Sequence, residues 1–66
     1  MTVVKSIKIL LADDHLLVRN GIKSLLEEED SLKVIGEAAN GQEALDLAKE
    51  LKPDLLIIND HLLIGF

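Results

Sequence analysis

Sixty-six residues allow at most one domain, about half the commonest domain length, with room for only a small core. Seven Lys+Arg against twelve Asp+Glu leave a net charge of −5 and no basic cluster, which argues against direct binding of nucleic acid or membrane surfaces. A hydrophobic share of 48% argues against a disordered segment, and the lack of cysteine excludes disulfide staples, thiolate metal sites and a cysteine nucleophile.

The chain starts with a short apolar pair, Val3-Val4, followed by Lys5 and Lys8, so it has neither the apolar block nor the small-residue cleavage site of a signal peptide. No later apolar run approaches the roughly 20 residues needed to cross a bilayer. A cytoplasmic location is expected. The first element, Ile7 to Ala12, is almost wholly apolar and stops at Asp13-Asp14, as a strand buried on both faces of a parallel sheet does; it is β1. From residue 15 to about residue 29, Val18, Ile22, Leu25 and Leu26 form an apolar stripe and predict a helix, α1. Gly21 inside it suggests close approach of the helix to the sheet. The acidic run from Glu27 to Asp30 at its end reads as a solvated face.

Leu32 to Ala38 reads as a partly exposed strand, β2, with Val34 as its most buried residue. A second helix, α2, opens at Asn40-Gly41-Gln42-Glu43, where Asn40 caps the helix and Glu43 reaches back to the cap nitrogen. Ala44, Leu45, Ala48 and Leu51 supply its apolar face, and Pro53 ends it after about Lys52. Leu55 to Ile58 is a second doubly buried strand, β3, running into Asn59, Asp60 and His61. The order β1-α1-β2-α2-β3 makes two consecutive βαβ units, an α/β architecture that stops before any helix covers β3.

In a parallel sheet the strand ends share one rim, so Asp13 and Asp14 converge with Asn59 and Asp60 if β1 and β3 are neighbours. Two carboxylates and a further oxygen donor suit a hard cation such as Mg²⁺. Acids at strand ends also occur as plain solvated loop residues, and spacing alone does not choose between the two.

Three segments together resemble the receiver domain of bacterial two-component response regulators, most closely the NarL/FixJ subfamily. They are β1 with Asp13-Asp14-His15, the block Gly36-Glu37-Ala38-Ala39-Asn40-Gly41, and Lys52-Pro53-Asp54 with the strand after it. The resemblance covers nearly the whole chain. It implies a flavodoxin-like doubly wound parallel sheet in the order 2-1-3, with residues 1–66 as the first half of a receiver domain and no output domain. It also implies a phosphorylation switch in which a sensor histidine kinase phosphorylates an Asp at the end of β3. Mg²⁺ is then held by Asp14 directly, by Asp13 through water, and by the backbone carbonyl of His61.

The acceptor position departs from the family pattern. Counted from Pro53, it falls on Asn59, which cannot form an acyl phosphate; Asp60 is the second candidate, but one residue along a strand points to the opposite face. The expectation is a receiver fragment with weak Mg²⁺ affinity and no phosphotransfer, whose parent served transcriptional regulation. The alternative is a self-assembling half-domain that dimerises through the exposed β3 edge. His15 and His61, loop histidines beside acids, read as solvent-facing. The rim has no phosphate-binding loop and no Ser/His/Asp set, so an enzyme is not expected.

Overall fold

The structure of the chain, a computed structural model, describes residues 6–58. The elements are β1 (Ile7–Ala12), α1 (Leu16–Glu27), β2 (Leu32–Ala38), α2 (Gly41–Leu51) and β3 (Leu55–Ile58). The three strands form one parallel sheet in the order β2-β1-β3. All three have the bounds that their composition predicts. Parallel neighbours need crossovers, and each of the two helices supplies one.

The centre of the sheet decides where the core lies. β1 has a strand on either side, and Ile9, Leu10, Leu11 and Ala12 are all fully buried. β2 has one lateral neighbour among the described residues, and its buried residue is Ala38, not Val34, which is half-buried at the sheet margin. The reading of β3 as buried on both faces is likewise corrected. Leu56 and Ile58 pack against the core, but Leu55 is 48% exposed, because among the described residues β3 pairs only with β1. The start of β3 is tied to β1 by Asp54, whose amide donates to the Lys8 carbonyl (2.8 Å) and whose Oδ2 accepts from the Lys8 amide (2.9 Å).

The β1–β2 pairing contains a bulge. Ile9 pairs with Val34 but Leu10 pairs with Gly36, so Ile35 is an extra residue in β2. Beyond it, alternation sorts the side chains between two faces. Ala12 and Ala38 lie with Leu56 and Ile58 under Ala44 and Leu47 of α2, and Leu10 and Gly36 continue this layer beneath Leu51. Leu47 thus takes the core role expected of Leu45, which is 37% exposed; Ala44, Leu47, Ala48 and Leu51 lie at the helical spacing of one stripe. On the opposite face, Glu37 meets Arg19 and Lys23 of α1.

The close-approach glycine is Gly36. A Cβ there would lie 2.7 Å from Leu51 Cδ1 and 3.2 Å from Leu10 Cδ1, whereas one at Gly21 would meet nothing within 4 Å. The role expected of Gly21 therefore belongs to β2, where α2 crosses over the strand.

The helix ends follow local hydrogen bonding. Asn40 Oδ1 accepts from the Glu43 amide (2.9 Å), as a cap does, but Glu43 Oε1 accepts from the amide of Ala39 (2.8 Å), not from that of Asn40. α2 closes at Lys52, in the left-handed region (φ 51°), with its amide on the Ala48 carbonyl. α1 is shorter than expected: His15 is its N-cap and Glu28 its C-cap, and none of its residues is buried. No helix among the described residues is long and apolar enough to cross a membrane.

Candidate functional site

The acidic rim begins where β1 ends. The Asp13 amide donates to the Ala38 carbonyl (3.0 Å), extending the β1–β2 ladder by one residue and fixing Asp13 at the sheet rim. Its side chain is fully buried. A buried carboxylate is costly without hydrogen bonds, and Asp13 Oδ1 accepts one from the His15 amide (2.8 Å), closing a tight Asx-type turn. That turn starts α1: the His15 carbonyl accepts from the Arg19 amide (2.9 Å), and the His15 side chain makes no capping hydrogen bond.

Asp14 is half-exposed, and its Oδ1 lies 2.7 Å from His15 Nδ1, a contact that requires a hydrogen on that nitrogen. The same nitrogen is 3.5 Å from Asp13 Oδ1. Ligand atoms of Asp13, Asp14 and His15 all lie within 4.8 Å of one another. Two consecutive carboxylates, one held by the backbone and one facing water, form a donor set that fits a hard divalent cation. Asp13 and Asp14 lie at the end of β1 with His15 beside them. Asn59, Asp60 and His61, the other predicted site residues, lie outside the described residues.

Beneath the acids is a polar network that periodicity does not reveal. Arg19 Nη1 donates to the carbonyl of Asp13 (2.8 Å) while its Nε donates to Glu37 Oε1 (3.1 Å). Lys23 Nζ, one helical turn on, donates to Glu37 Oε2 (3.1 Å). The hydrogen bond from Lys23 holds the Glu37 carboxyl below the usual glutamate range; partial burial opposes this, and the charges of Lys23 and Arg19 with the Arg19 hydrogen bond reinforce it. The spacing of Arg19 and Lys23 on α1 is visible in the sequence, but their common partner is contributed by β2, on the far side of a turn.

Comparison with known proteins agrees with the fold. Residues 9–62 match the response regulator receiver domain family. The transcriptional regulatory protein YdfI of Bacillus subtilis is 50% identical over 52 residues, which cover 79% of this chain and 24% of that protein. The response regulator GacA of Pseudomonas syringae is 49% identical over 53 residues, covering 80% and 25%. The chain spans about a quarter of the length of these curated relatives. Among solved structures, the NarL signal receiver domain from Mycobacterium tuberculosis superposes with a TM-score of 0.84 at 33% identity, over 88% of this chain and 47% of that one. The parallel 2-1-3 sheet, the acid pair at the end of β1 and a family match over most of the sequence lead to one conclusion: the chain belongs to the response regulator receiver domain family.

Proposed function

We propose that this chain is the first half of a receiver domain that keeps a cation-binding acid pair at Asp13 and Asp14 but has Asn59 where the phosphoacceptor belongs. Receiver domains act in phosphorelay signalling with sensor histidine kinases and bind Mg²⁺ at an acidic site. The observation that carries the reading is the β1–β3 register. Ala12 pairs with Ile58, and the residues that follow these two in the chain are Asp13 and Asn59. Asp13 and Asp14 would hold the cation, with the His61 carbonyl as a third donor. When bound, the cation neutralises charge on phosphoryl oxygens during transfer.

The protein's own groups set the limit of that chemistry. An amide oxygen at Asn59 offers no carboxylate to attack phosphorus, so no acyl phosphate forms there. The parent is read as a cytoplasmic transcriptional regulator and the histidine kinase as the parent's partner. Incubation with a small phosphodonor and Mg²⁺, followed by intact mass measurement, is expected to show no added phosphoryl group. A stoichiometric adduct on Asp60 would overturn the assignment of the acceptor position.

A second reading, homodimerisation through β3, is supported by the exposure of Leu55 and by the one-sided pairing of that strand among the described residues. Sedimentation is expected to show a mass that rises from one to two chains over the micromolar range. A single folded chain at every concentration would remove this reading.

A further inference from the structure

The acid pair sits on the turn that leads from β1 into α1. α1 buries no residue, its N-cap His15 makes no side-chain capping hydrogen bond, and the first-turn side chains Leu16, Leu17 and Val18 are 60%, 85% and 44% exposed. Among the described residues, apolar packing therefore does little to fix where α1 begins. The polar links from Arg19 and Lys23 to Glu37 join the helix to β2, and Arg19 also reaches from the helix to the Asp13 backbone.

We infer that Arg19 is a positioning residue for the acid pair: its guanidinium, anchored on Glu37, holds the Asp13 carbonyl and thereby sets the turn that aims the Asp13 and Asp14 carboxylates. The planar fork suits this role, because Nη1 and Nε point to two acceptors at once: the Asp13 carbonyl at 2.8 Å and Glu37 Oε1 at 3.1 Å. Glu37 in turn is shared with Lys23, which fixes its second oxygen. With the Asp13 carbonyl held, the Asp13 carboxylate stays in reach of the His15 amide at 2.8 Å, so helix start and acid geometry are set together. A lysine at position 19 keeps the charge but cannot span both acceptors.

The inference rests on the cation-binding reading of Asp13 and Asp14, and electrostatics makes the test sharp. Removing a positive charge beside a cation site should by itself tighten cation binding. Loss of positioning should weaken it, as changes in groups that orient metal ligands commonly do, here by roughly tenfold. The isotope-labelled chain and its Arg19→Met, Arg19→Lys and Glu37→Gln variants are titrated with Mg²⁺. The readouts are the amide signals of Asp13, Asp14 and His15 and, without metal, hydrogen exchange at the His15 amide.

The expected result is roughly tenfold weaker Mg²⁺ binding in both Arg19 variants, a smaller loss in Glu37→Gln, and faster exchange at His15 in all three. Equal or tighter Mg²⁺ binding in Arg19→Met overturns the inference. Should Arg19→Met fail to fold, Arg19→Lys and Glu37→Gln decide by the same criteria. If the unaltered chain shows no Mg²⁺ response at these amides, the cation reading fails; unchanged His15 exchange in the variants then overturns the positioning role as well, and faster exchange supports it for the turn alone.

Discussion

Leu10→Ala is expected to abolish most of the cooperative unfolding transition. Leu10 lies in the central strand, fully buried, with its methyl group close to Gly36 in the layer beneath α2. Truncating a buried leucine costs about 2–5 kcal/mol, the upper end applying where neighbours cannot move in to fill the space. Here the nearby core residues Ala12, Ala38 and Ala44 have side chains of one carbon and cannot reach into a void. A chain of this length has a total stability of roughly 3–10 kcal/mol, so the loss consumes much or all of it. Urea titration followed by circular dichroism checks this: the midpoint should fall steeply or the pretransition baseline disappear. A midpoint within a few tenths molar of the parent would show that Leu10 does not carry the core.

The two glycines should respond to the same substitution with opposite signs. At Gly36, an added methyl group meets Leu51 Cδ1 at 2.7 Å and Leu10 Cδ1 at 3.2 Å. The Leu51 methyl is the end of a half-buried side chain and can swing away, but Leu10 is fully enclosed and cannot. Gly36→Ala is therefore expected to destabilise by about 1–3 kcal/mol, as overpacking of tight interiors does. At Gly21 the same methyl meets nothing, the backbone is helical and the residue is exposed, so Gly21→Ala is expected to stabilise by about 0.5–1 kcal/mol. Urea midpoints of the two variants give the comparison directly. A shift in the same direction for both would contradict the placement of α2 over β2.

The strands were legible because their signal is continuous: a run of aliphatic residues that stops at charged or turn-forming neighbours leaves little choice of bounds. β1, β2 and β3 accordingly begin and end where composition places them. Burial within a strand is a different quantity, set by its place in the sheet. Val34 and Leu55 have the residue types of a core but lie on strands with one lateral partner, and so remain part-exposed among the described residues. The helices were legible as stripes but not in phase: Leu45 and Leu47 are equally apolar, and only the crossing over the sheet selects Leu47. Gly21 suggests itself as the contact glycine because a glycine inside a helix stands out, whereas Gly36 lies in a strand whose helical partner is 15 residues later.

The abrupt end of β1 marks Asp13 and Asp14 in the sequence, and ligand atoms of these two and His15 lie within 4.8 Å of one another; their predicted convergence with Asn59 and Asp60 lies outside the described residues. Arg19, Lys23 and Glu37 were not legible, because the interaction joins residues 18 and 14 positions apart and exists only once α1 is laid across the end of β2. Opposite charges on separate elements carry no periodic mark. Three charged residues meeting at one point is a property of the crossover, not of either segment.

The irregularity at Ile35 fixes the parity of everything downstream in β2. Because one residue is looped out between Val34 and Gly36, odd and even positions exchange sides, which sends the Glu37 carboxylate to the cations of α1 and leaves the small Gly36 and Ala38 under α2. A strand of strict alternation would deliver an anion into an aliphatic layer and an aliphatic residue to Arg19. The single surplus residue is thus a switch of handed order between oil and charge, written into the backbone before any side chain is chosen.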